Sequence, residues 1–78
     1  MPCFLIDQWV DARSLGRDTA LRAVGDAVRG LAAGQVAEVI VNDVAVAAEL
    51  MAWLETKPMD VLESSILRDS RRLIIRHR

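Results

Sequence analysis

The sequence predicts a two-layer α/β (α+β) sandwich of order β-α-β-α-β-β, with a four-stranded mixed sheet and two helices on one face. Three observations lead there. Apolar residues recur at three- and four-residue steps in two stretches, Leu21, Val24, Val28, Leu31 and Ala47, Leu50, Met51, Leu54. Short β-branched runs lie between and after these stretches, Val36, Val39, Ile40 and Val41 foremost. A chain of 78 residues and 8.6 kDa supports one domain over 1–78, and one interface between two layers is all the core it can build.

Residues 4–10 are short, apolar and β-rich, a first strand, and residues 11–16 read as the loop behind it. Asp18 is positioned to cap the first helix, with Thr19 as a second candidate. Gly25 weakens that helix and Gly30 or Gly34 ends it. Residues 35–41 are continuously apolar enough for a buried parallel strand. Asn42-Asp43 supplies the next cap, Val46 and Trp53 flank the second helical stripe, and Lys57-Pro58 stops it. Residues 59–67 read as a strand of imperfect alternation, 68–70 as a turn and 71–76 as the last strand. Alternating strands and helices favour parallel pairing first, and the closing hairpin adds an antiparallel pair. Right-handed crossovers progressing in one direction place both helices on the same face.

Composition excludes several classes of function. At 53% hydrophobic and 27% charged the chain is too apolar to stay disordered. No apolar run approaches the roughly 20 residues of a membrane span, and mean hydropathy is only +0.22. The first residues lack a basic segment and Asp7 follows at once, so a secretory leader is not expected and a cytoplasmic location is. Cys3 is the single cysteine, which excludes an internal disulfide and a closed cysteine-based metal site. No metal or other cofactor is expected. His77 falls in the last two residues, where chains are usually mobile, which argues against a Cys-His or Ser-His-Asp catalytic group. Asp60 and Glu63 stand at an odd separation in a strand, which sends them to opposite faces and argues against an acid/base pair.

Net charge is −1, but it is unevenly placed. From Leu67 onward five arginines (Arg68, Arg71, Arg72, Arg76, Arg78) face one aspartate, a local +4 against −5 for the residues before them. Arg71, Arg72 and Arg76 are candidates for a basic patch meeting an acidic protein or a phosphate backbone. The preferred reading is that they guard an edge strand against pairing, because no aromatic residue interleaves them. Nucleic acid is therefore a disfavoured partner, and no membrane partner is expected. Two tryptophans, Trp9 and Trp53, are much to bury in so small a core, so one is expected at a homodimer or partner interface.

Asp11-Ala12-Arg13-Ser14-Leu15 resembles the Asp-x-Arg-Gly-Leu that closes the first strand of TusA/SirA-like sulfur-carrier proteins. Asn42-Asp43-Val44-Ala45 resembles that family's Asp-Asp-Pro-Ala, and Ala52-Trp53 before residues 57–62 resembles its second helix end and third strand. The similarity runs without a gap from about Trp9 to the last strand. It implies a β-α-β-α-β-β two-layer sandwich, in agreement with the periodicity. It also implies a carrier chemistry built on Cys-Pro-x-Pro, whose cysteine opens the first helix and holds sulfur as a persulfide. A helix N-terminus favours a thiolate because its free N–H groups carry partial positive charge.

In this chain the cysteine position is Arg17, the first proline is Asp18 and the second is Ala20. Arginine stays protonated and has no sulfur, so the carrier chemistry does not transfer. The expectation is a non-catalytic TusA/SirA-like domain, not an enzyme, with a protein-interaction or regulatory role related to sulfur relay and a protein partner of the sulfur-relay type. One alternative is a sulfur carrier or accessory using Cys3, although Cys3 precedes the first strand, far from any helix start. Another is anion or nucleic-acid binding, either by the basic end or by Arg13, Arg17 and Asp18 at the old motif's position. The plainer account of Arg13 and Arg17 is pairing with Asp11 or Asp18 in a solvated loop.

Overall fold

A parallel pair, two crossovers and a hairpin generate the sheet. The computed structural model describes residues 5–78, and Cys3 with the start of the expected first strand lies outside them. Its elements are β1 (Gln8–Asp11), α1 (Arg17–Arg29), β2 (Val36–Val41), α2 (Val44–Leu54), β3 (Met59–Ile66) and β4 (Arg71–His77). β1 and β2 are parallel, β4 is antiparallel to both β2 and β3, and the order across the sheet is β1-β2-β4-β3. β3 therefore runs parallel to β2 with β4 inserted between them. Both crossovers move the same way along the sheet, which places α1 and α2 on one face.

The core lies between that face and the helices. Val24 and Val28 of α1, Leu50 and Leu54 of α2, Val39 and Val41 of β2, and Leu73 and Ile75 of β4 are the largest of its fully enclosed side chains. The opposite face is open. Trp9, Glu38, Ile74, Arg72 and Arg76 share it by register, and Ile74 is still buried. Glu38 and Glu63 stand opposite Ile74 on the flanking strands.

Several expectations shift. β1 begins at Gln8 rather than before it, and it includes Asp11. α1 starts at Arg17 with Gly16 as its cap residue, so Asp18 and Thr19 sit inside the first turn instead of capping it. Gly16 offers no side-chain acceptor, and Asp18 complements the positive helix end from within. α1 ends at Arg29, so Leu31 packs from the following turn. Asp43 caps α2 as expected, its carboxylate accepting the Ala45 N–H at 2.8 Å. Within α2 the buried set is Val46, Ala47, Leu50 and Leu54, while Met51 reaches solvent. β4 extends through His77, whose N–H donates to the Gln35 carbonyl, so the histidine belongs to the sheet and not to a mobile tail.

The imperfect alternation of β3 has a structural cause. Val61 stands opposite Ile75 but Glu63 opposite Ile74, so Leu62 is an extra residue in a β-bulge. The bulge reverses the parity of everything after it. Asp60 and Glu63 consequently share the open face, contrary to the expectation from an odd separation, and Ile66 turns to the helix side with Arg71.

Gly34 has φ +84° in the turn before β2, where its N–H donates to the His77 carbonyl. Gly16 has φ −67°, open to any residue, and a Cβ at either glycine would meet nothing within 4 Å. The two sites isolate backbone conformation from packing. Gly34→Ala should cost about 1 kcal/mol, while Gly16→Ser should add roughly 0.5–1 kcal/mol through a cap and a less flexible unfolded chain. Urea midpoints should move in opposite directions; a shift of both the same way would contradict the assigned dihedrals.

Candidate functional site

The loops after β1 and β2 and the β3–β4 turn meet at one end of the sheet, where Arg13, Arg17 and Asp18 gather, whereas Arg76 lies toward the other end of β4. Arg13 folds back on Asp11, donating from its backbone N–H at 3.2 Å, from Nε at 2.9 Å and from Nη2 at 2.7 Å. These side-chain and backbone hydrogen bonds from Arg13 draw the Asp11 carboxyl down to about 2, and the same contact raises the arginine. The Arg13 carbonyl accepts from Asn42 Nδ2 at 2.6 Å, which ties the β1–α1 loop to the β2–α2 loop.

Arg17 opens α1 with its guanidinium between two carboxylates. Nη1 donates to Asp18 at 2.9 Å and Nη2 donates to Glu49 of α2. Glu49, first by hydrogen bond and then by charge, raises Arg17 further above its ordinary range. All these groups are exposed, so solvent screening leaves each pair little weight in stability. Their effect on recognition is larger. Three carboxylates (Asp11, Asp18, Glu49) surround two guanidiniums (Arg13, Arg17), so an incoming anion finds no uncompensated positive charge. Neither arginine is a nucleophile. The corner can hold its own loops together and present a fixed pattern of charge to a partner.

The basic C-terminal block does not form one patch. Arg72 and Arg76 lie on the open face, paired with Glu63 at 2.9 Å and Asp60 at 3.6 Å, and Arg78 reaches Asp60 at 3.2 Å. Hydrogen bonds from Ser65 and then Arg72 hold Glu63 below the usual carboxylate range. Arg71 faces the helix side. The expectation that these arginines guard an edge is corrected by the strand order: β4 is internal, and the edges are β1 and β3. Asp60 and Glu63, though on one face, are each paired with arginine.

Three concavities stand out among the described residues. One of about 210 Å³ lies between the helices, where Leu21, Leu50 and Trp53 meet Arg29 and Glu49. Trp53 is half-buried there, with Arg29 and Lys57 at 5.9 and 5.4 Å from its ring centre. A shallow one of about 90 Å³ lies beside Trp9, which is 67% exposed on β1. The largest, about 280 Å³, lies between the start of α2 and the β3–β4 turn. Sequence reasoning missed it, because its Ile66 faces α2 only through the bulge.

Among the described residues no group of three or more His, Cys, Asp and Glu side chains could hold a metal ion, and no helix is long and apolar enough to cross a membrane. Searches of protein-family models, characterised proteins and solved structures match nothing to this chain.

Proposed function

We propose that the chain is a non-catalytic TusA/SirA-like domain that binds a protein partner of the sulfur-relay type. The observation that carries this reading is Arg17. At the residue where the resemblance places a persulfide-bearing cysteine, α1 opens with a guanidinium held by Asp18 and Glu49. The helix start is preserved as a position, and its chemistry is replaced by an ion-paired surface. Six of the nine arginines are engaged with carboxylates, which suits a surface of fixed charge pattern more than one that collects phosphates.

The test is intact-mass spectrometry after incubation with a cysteine desulfurase, its cofactor and cysteine, with Cys3→Ser alongside. The expected result is that neither protein gains sulfur while the desulfurase is demonstrably active. A gain of one sulfur atom that vanishes in Cys3→Ser would overturn the reading and assign the carrier role to Cys3.

A further inference from the structure

We infer that the 280 Å³ groove between the first turn of α2 and the β3–β4 turn is a docking site for a short peptide segment of a protein partner, acidic with an aliphatic anchor. The inference rests on the partner-binding reading above and specifies the surface and the chemistry of the partner.

Val44 and Ile66, 65% and 77% exposed, both line the groove, and Leu67 adds to its wall. Exposed aliphatic side chains scattered singly need no explanation, but two converging on one concavity form an anchor site. The bulge in β3 is what brings them together, since strict alternation from Met59 would send Ile66 to the open face. On the same rim stand Arg68 and Arg71. Of the nine arginines, only these two and Arg22 have no carboxylate partner among the described residues. Asp69 also borders the groove, but its charge supports Arg13 on the neighbouring loop. The groove thus joins aliphatic surface to two uncompensated guanidiniums, which a carboxylate-bearing segment complements.

A peptide fits better than a nucleic acid. The rim has no aromatic side chain for a base to stack on. Strand addition is the weaker mode, because β1 has four residues and β3 is interrupted by its bulge.

The experiment is selection of a random twelve-residue peptide library on the full chain, followed by fluorescence anisotropy of the enriched peptides. The wild type, Arg68→Glu/Arg71→Glu, the milder Arg68→Gln/Arg71→Gln and Ile66→Ser would be compared at matched thermal stability. A mixed-sequence oligonucleotide would run as a second probe. The expected result is an acidic-aliphatic consensus whose affinity falls about tenfold or more in the charge-reversed pair and in Ile66→Ser, and less in the glutamine pair. Enriched peptides that bind every variant equally would overturn the groove and leave partner binding intact. No enrichment above that on an unrelated control protein would overturn partner binding itself. Oligonucleotide binding lost in the same variants would assign the groove to nucleic acid and overturn the peptide.

Discussion

Cysteine in place of Arg17, in a Cys3→Ser background, should ionise below the ordinary thiol value of about 8.5, whereas cysteine in place of Arg22 should titrate near it. Arg17 is the first residue of α1, and Gly16 before it contributes no side-chain cap. Arg22 lies on the same helix, exposed and past the first turn. A helix terminus is worth about 0.3–1 kcal/mol to an exposed anion, and about 1.36 kcal/mol corresponds to one pKa unit, so the drop should be roughly 0.2–0.7 units. Two carboxylates oppose it. Asp18 and Glu49, which now hold the guanidinium, would face the new thiolate and favour its neutral form. Adding Glu49→Gln should therefore lower the thiol further, and alkylation rate against pH reads all three variants. A residue-17 thiol that titrates at or above the residue-22 thiol, even with Glu49→Gln, would remove helix-start activation from the account. Offered sulfur by the desulfurase, residue-17 cysteine should gain one sulfur and residue-22 cysteine none. Uptake by neither would discard the sulfur-relay type of partner.

Element type and order were legible because they depend on local pattern. The helical period of residues 21–31 and 47–54 gives way to β-branched runs at 36–41 and 71–76, with Gly30, Gly34 and Pro58 as punctuation. What was not legible depends on pairing. Nothing in residues 71–77 tells that they lie between β2 and β3, so Arg71, Arg72 and Arg76, which look like edge guards, are interior ladder residues, the latter two with cross-strand carboxylates. The bulge after Val61 leaves only a blurred alternation in sequence, yet it moves Glu63 to the face of Arg72 and Ile66 to that of the α2 start. The candidate corner divides in the same way. That Arg17 stands near a helix start follows from spacing, and pairing of Arg13 with Asp11 follows from their two-residue separation. Glu49, 32 residues from Arg17, is brought there only by packing of α2 against α1.

The second large effect tests the side of α2 that faces the core. Leu50→Ala should cost about 3 kcal/mol, and Met51→Ala should stay within about 1 kcal/mol. Sequence periodicity places both residues on the apolar stripe, because each completes a three- or four-residue step from Ala47. In the fold the buried ridge is Val46, Leu50 and Leu54 with Ala47 beside it. Leu50 is 2% exposed among core side chains of both helices and the sheet, while Met51 lies at the solvent margin. Truncating Leu50 removes three carbons from a close-packed site that relaxes only partly, so lost transfer energy and cavity cost add. Truncating Met51 removes surface that is already partly wet, and alanine's better helix propensity returns some of the loss. A 78-residue domain has a total stability of only about 4–12 kcal/mol, so the first change alone should lower Tm by roughly 10–20 °C. Thermal melts of the two variants decide the helix rotation directly. Equal losses would mean that Met51 is core, that α2 is rotated by part of a turn, and that Glu49 no longer points toward Arg17. Unequal losses in the expected order would support the placement of Glu49 beside Arg17 at the start of α1.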